Sequence, residues 1–217
     1  MKLAGLLDAA LADPQLARVR TLARSAGGDQ VEITAAPALR PFLVAIVAGA
    51  GSASGAVLAV TATSREADDL AEALGYLIDP DTVAVYPSWE TLPHERLSPR
   101  SDTVGRRLAV LRRLAHPQEG PAPLRVVVAP VRSVLQPQLR GLGDLAPVGL
   151  RQGAEADLET VVAELASIAY TRVDLVTKRG EFAVRGGILD VFPPISEHPL
   201  RVEFWGDEIE EIRSFSV

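Results

Sequence analysis

The spacing of apolar residues changes partway along this chain. In the first 130 residues apolar positions recur at helical spacing or gather in short continuous runs; over the last 50 they alternate. Leu3, Leu6, Leu7 and Leu11 keep a helical period, and Asp13-Pro14 can stop one short helix and start a second within residues 3–24. Val31 to Thr34 alternates as a short strand would, and Pro37 and Pro41 flank a helix-like run, Phe42 to Val47. Val57 to Val60, Val83 to Tyr86 and Leu124 to Val128 are short apolar runs of the kind buried in a parallel sheet. Between them lie two amphipathic helices. One begins at Arg65 under a Thr63-Ser64 cap and turns Leu70, Leu74 and Leu77 inward. The other runs from Ser101 or Asp102 to His116 with Val104, Leu108, Leu111 and Leu114 inward. Strand, helix, strand, helix, strand implies an α/β domain built on a parallel sheet.

After Pro130 comes a connector with a helix start and a short strand near Val148 to Leu150, then an amphipathic helix from Ala154 to Tyr170 with Leu158, Val161, Val162, Leu165, Ile168 and Ala169 on its face. Five strands follow: Val173 to Val176, Glu181 to Arg185, Ile188 to Phe192, Leu200 to Trp205 and Ile209 to Phe215. The turns at Arg179-Gly180, Gly186-Gly187 and Gly206-Asp207 fit antiparallel hairpins. The chain therefore divides into an α/β domain, residues 1–136, and a small α+β domain with antiparallel strands, residues 137–217.

Composition narrows the function. There is no cysteine among the 217 residues, hence no disulfide framework and no thiolate metal site. No apolar run reaches the roughly eighteen residues that span a membrane. The opening LAGLLDAALADP is interrupted by Asp8 and Asp13, so it reads as an amphipathic helix rather than a signal peptide, and the cytoplasm is the default location. The net charge is −6, and all of the excess lies in residues 151–217, which hold seven basic and thirteen acidic side chains. An acidic domain repels a phosphate backbone, which counts against nucleic-acid binding there.

Candidate chemistry is sparse. Gly49 to Gly55 is rich in glycine and serine and precedes a strand. Matched to a phosphate loop with Gly55 as second glycine, it puts Ala56 where the lysine belongs and Val57 where the hydroxyl belongs, and it leads into a strand instead of a helix. A plain loop is the favoured reading, with nucleotide binding the alternative. His94, His116 and His198 show no ligand spacing. Trp89 reads as a residue that packs its loop onto the domain. The set that stands out is Arg172, Lys178, Arg179, Arg185, Arg201 and Arg213, set among carboxylates. Alternation along 181–185 turns Phe182 and Val184 one way and Glu181, Ala183 and Arg185 the other, so Arg172, the Lys178-Arg179 pair and Arg185 can share an edge. Arginine suits bidentate carboxylate pairing across an interface. Pairing within the domain to Asp174, Asp190, Glu203 or Glu208 is the other reading.

Three blocks carry a resemblance: YPSWETLPHERLSPRSDTVGRRLAVLRRL, RVVVAPVRSVLQP, and AYTRVDLVTKRGEFAVRGGILDVFPP continuing to HPLRVEFWGDEIEEIRSFSV. They resemble the N-terminal region of the bacterial transcription-repair coupling factors (Mfd), which is similar to the excision-repair subunit UvrB; the last block looks like the UvrA-interaction domain the two share. The similarity runs from about Val57 to Val217, and the first 55 residues match loosely. It implies that the first domain is a helicase-like, RecA-type fold whose phosphate loop has degenerated, and that the second docks UvrA. It places the docking arginines on Arg172 and Arg185; Phe182 or Phe192 is expected to support the surface or the core. Where UvrB has a further arginine two positions before the latter, Ala183 stands here, which leaves any extra basic contribution to Lys178 or Arg179. The expected role is a non-catalytic recruitment module of transcription-coupled nucleotide excision repair, bringing UvrA to a stalled RNA polymerase. The alternative is a nucleotide-binding, ATPase-type helicase domain acting on DNA. The resemblance further implies that ATP, magnesium, DNA and RNA polymerase belong to regions beyond this stretch, so that the chain reads as a fragment without a cofactor. It also leaves room for a C-terminal domain to mask the UvrA surface intramolecularly.

Overall fold

A computed structural model describes residues 3–25, 30–50, 55–91 and 98–217. The chain forms two compact units, residues 1–92 with 107–144 and residues 93–106 with 145–217.

In the first unit α1 (Ala4–Ala10) and α2 (Pro14–Arg24) meet at Asp13, whose carboxylate accepts from the N–H groups of Gln15 and Leu16 while Pro14 opens the second helix. After α3 (Arg40–Ala50) comes β1 (Val57–Thr61), then α4 (Ser64–Leu77), which starts in a capping box of Thr63 and Glu66. β2 (Val83–Val85), α5 (Ser101–Ala115, of which residues 107–115 belong to this unit), β3 (Val126–Pro130) and α6 (Val131–Leu135) follow. The three strands form a parallel sheet in the order β1-β3-β2. The central strand is buried throughout. Val126 and Val128 pack with Ala45, Ala67 and Leu74; Val127 and Ala129 face the other way, with Tyr86 and Val110.

Two expectations fail in this unit. Val31 to Thr34 has no regular structure, and Val31 and Ile33 are exposed. A two-residue alternation makes a strand only where a ladder accepts it, and the sheet order places none there. The inward face of α5 is displaced by one position. Arg107 and Val110 are buried, while Leu108 and Leu111 are partly exposed and Leu114 is exposed. The cause is Arg107, 2% exposed, whose guanidinium lies 4.1 Å from the Tyr86 ring centroid and 4.2 Å from that of Trp89. Its Nη1 donates to the Pro87 carbonyl at 2.6 Å. An arginine sandwiched between two aromatic faces counts as core, which a pattern of apolar letters does not register.

The second unit is a five-stranded sheet in the order β4-β5-β6-β7-β8: β4 (Thr171–Arg172), β5 (Glu181–Arg185), β6 (Ile188–Val191), β7 (Leu200–Trp205) and β8 (Glu208–Ser214). α7 (Leu158–Ser167) supplies Val161 and Leu165 to a core with Phe182, Leu189, Val191, Val202, Phe204 and Ile209. Val173, Val176, Ala183 and Phe192 form a second, smaller cluster. The β5-β6 and β7-β8 hairpins turn on Gly186 and Gly206, both at positive φ, where glycine carries no Cβ penalty.

Four details differ from expectation here. Residues 148–150 form no strand, although Val148 and Leu150 pack on the core. α7 starts at Leu158 because the Asp157 carboxylate caps the Thr160 N–H at 2.9 Å, while Ala154 and Ala156 hydrogen-bond to Ile209 and Asp207. It stops at Ser167, and Ala169 turns the chain at φ 69°. The predicted strand at Val173 to Val176 is instead the two-residue β4, which pairs parallel to β5, so the Arg179-Gly180 turn is not an antiparallel hairpin. The sheet is therefore mixed, not purely antiparallel. Among the described residues no helix is long and apolar enough to cross a membrane.

Candidate functional site

β4 and the segment after it shape the free edge of the second sheet. Arg172 stands in register with Phe182 on β5, and Arg185 ends the same strand. Val173 N–H still donates to the Phe182 carbonyl at 2.9 Å, after which the chain leaves the ladder. Val176 turns inward and is buried beside Ala183 and Phe192. The Glu181 carboxylate then accepts from the N–H groups of Thr177 at 2.9 Å and Lys178 at 2.8 Å. Burial works against that charge, but the two N–H donors, with the Thr177 hydroxyl and the Lys178 ammonium, outweigh it and hold the Glu181 carboxyl below the usual glutamate range.

Arg172, Val173, Asp174, Val184 and Arg185 line one recess of about 530 Å³. Both arginines are exposed, and Nη2 of Arg185 donates to the Asp174 carbonyl at 2.5 Å, tying the two sides of the recess together. The recess thus has two arginines in its lining, Arg185 braced by backbone, together with Val173, Asp174 and Val184. That arrangement suits a carboxylate-bearing protein surface.

The other sequence candidates fall elsewhere. Phe182 is 1% exposed and sits in the core, the second of the two places expected for it, where it helps to fix the position of β5. Lys178 and Arg179 are exposed but do not line the recess. Arg179 donates through Nε to the Ser196 carbonyl at 3.1 Å and stacks 5.1 Å from the Phe192 ring centroid. Ala183 is 3% exposed and belongs to the small cluster with Val176 and Phe192. Arg201 forks onto the buried Asp190 at 2.7 and 2.8 Å, and Arg213 pairs with Glu203 at 2.5 Å, so both are engaged within the domain. Sequence reasoning missed Leu175, 63% exposed and next in the chain to Asp174 of the recess, because reading 173–176 as a strand treated it as sheet.

Elsewhere, the Trp89 N–H donates to Gln136 Oε1 at 2.8 Å and its carbonyl accepts from Gln136 Nε2 at 3.2 Å, which makes it a packing residue of its loop. The His116 ring nitrogens lie 3.7 Å from a Glu119 carboxylate oxygen and 3.3 Å from one of Asp144. His94 and most of the Gly49 to Gly55 loop lie outside the described residues. Among the described residues no group of three or more His, Asp or Glu side chains is placed to hold a metal ion.

Comparison with known proteins places the domain. Residues 148–217 match the family model of the UvrB interaction domain. Along almost its whole length the chain is similar to a transcription-repair-coupling factor of Mycobacterium tuberculosis (strain CDC 1551 / Oshkosh), with 56% identity over 219 residues covering 99% of this chain and 17% of that protein. The factor of Haemophilus influenzae is 33% identical over 162 residues, 73% of this chain and 13% of the relative. That of Escherichia coli (strain K12) is 36% identical over 132 residues, 59% of this chain and 11% of the relative. The chain thus spans less than a fifth of the length of these relatives. It belongs to the transcription-repair-coupling factor family, as the counterpart of the N-terminal region that carries the UvrB interaction domain.

Proposed function

We propose that this chain is a non-catalytic recruitment module that docks UvrA through the recess formed by Arg172 and Arg185, and so links excision repair to a stalled RNA polymerase. The observation that carries the reading is the convergence of these two arginines, separated in sequence, on one recess of the domain that matches the UvrB interaction model. Arg201 and Arg213, which have carboxylate partners of their own, do not line it.

The first unit we read as a helicase-like, RecA-type fold that does not bind nucleotide. Its parallel β1-β3-β2 order fits such a fold. At Gly55 the chain enters strand β1 and not a helix, and Ala56 and Val57 offer neither ammonium nor hydroxyl. The turn that leads into α3 begins at Pro37, and Pro41 is the second residue of the helix itself; neither has the N–H group a phosphate needs. ATP, magnesium, DNA and RNA polymerase are assigned in this reading to the remainder of the family's length, and the location to the cytoplasm.

Pull-down of purified UvrA by the immobilised chain tests the proposal. The wild-type chain should retain UvrA, and R172E and R185E should each release it while keeping the far-UV circular dichroism of the wild type. Retention by both reversed variants would refute the site.

A further inference from the structure

The arginine recess borders a short segment held more firmly than its exposure suggests. Val173 N–H is bonded to Phe182, the Asp174 carbonyl accepts from Arg185, Val176 is buried, and the Thr177 and Lys178 N–H groups bind the Glu181 carboxylate. Val173 and Val176 face the small inner cluster. Between them, Leu175 is 63% exposed. A single exposed leucine is ordinary. A leucine whose neighbours in the chain are held on both sides, one residue after Asp174 of the recess lining, has already lost much of the backbone freedom that ordering on binding would cost.

We infer that Leu175 is the apolar anchor of the docking surface, and that the partner face it fits combines a carboxylate for Arg172 and Arg185 with an apolar hollow for the leucine. The inference rests on the reading of the recess as the UvrA-docking site. It gives Arg185 two roles, as a charge presented to the partner and as the brace that holds Asp174, and with it the adjoining Leu175, in place. Charge alone would make an arginine site indifferent to which acidic surface it meets; an apolar contact at its border adds discrimination by shape.

Titration of purified UvrA against the chain and the variants L175A, L175M, L175D and R172E tests this, with melting temperature as the control for folding. Loss of a buried leucine contact predicts a drop in affinity on the order of 10- to 100-fold for L175A. L175M, which restores apolar volume, should bind within a few-fold of wild type, and L175D should bind more weakly than L175A. If L175A and L175D bind as wild type while R172E does not, the leucine anchor is refuted and the arginine site stands. If R172E also binds as wild type, the docking reading itself fails and the inference falls with it. If L175D alters only self-association of the chain in sedimentation, the leucine seats a second copy and the inference is overturned.

Discussion

Removing the Glu181 carboxylate should loosen the segment that borders the recess while leaving both arginines in the chain. In the folded state Oε2 accepts from Thr177 N–H at 2.9 Å and Lys178 N–H at 2.8 Å, with the Thr177 hydroxyl at 3.4 Å. Hydrogen bonds to a charged group contribute about 1.5–3 kcal/mol. Thr177 and Lys178 are exposed, so water takes over part of the lost interaction, and the lower end applies. Glu181→Ala should therefore favour local opening by about 1.5 kcal/mol, roughly tenfold in amide exchange at Thr177 and Lys178. Glu181→Gln keeps a neutral acceptor of about half the strength and should accelerate exchange about threefold. Amide exchange followed by NMR reads this directly, with the Leu74 amide in the buried face of α4 as an unaffected reference. Because the folded Glu181 carboxyl lies below its ordinary range, its contribution is present above the unfolded value of about 4.3 and is lost as pH falls through the folded value. The difference between wild type and Glu181→Gln should be constant near neutrality and shrink below about pH 4. Unchanged exchange at Thr177 and Lys178 in Glu181→Ala would refute the claim that this carboxylate holds the segment.

Two further substitutions test the second sheet. Arg201→Ala leaves the buried Asp190 carboxylate without its bidentate partner and should cost about 3 kcal/mol in urea denaturation, while the double variant with Asp190→Ala should recover part of that loss; strict additivity would count against the pair. A Cβ at Gly187 would lie 2.8 Å from the Phe204 carbonyl oxygen, whereas one at Gly186 meets open space and carries only the left-handed φ of 60°. Gly187→Ala should therefore lower the melting temperature more than Gly186→Ala, at about 1–3 against about 1–2 kcal/mol; the reverse order would contradict the packing described.

What the chain's pattern reveals depends on how locally each feature is determined. β1, α4 and the two glycine hairpins follow from runs, caps and turn residues close in sequence, and they appear where the pattern puts them. β4 is different. Its extent is set by Glu181, which draws Thr177 and Lys178 off the ladder, and by Val176, which is buried against Phe192, residues far enough along the chain that alternation at 173–176 could not report them. The inward face of α5 is likewise fixed by a partner elsewhere, the Tyr86 and Trp89 rings that receive Arg107. At the site, the pairing of Arg201 with Asp190 and of Arg213 with Glu203 was within reach of the sequence, since strand register sets Asp190 opposite Arg201. The choice of Arg172 and Arg185 came from the resemblance, and the recess that joins them needed the folded edge. For Phe182 the sequence leaves surface and core open, because alternation assigns it to a face without telling which face is covered, and the fold puts it in the core.

The central claim is that Arg172 and Arg185 form one protein-docking surface. Calorimetric titration of UvrA with the wild-type chain, R172E/R185E and R213E addresses it most directly, since Arg213 is an exposed arginine already paired with Glu203. The account predicts that R213E binds UvrA within a few-fold of wild type, whereas R172E/R185E, still folded, loses at least about thirtyfold in affinity. Equal affinity for the wild type and the double reversal, or equal losses in R213E and the double reversal, would contradict it.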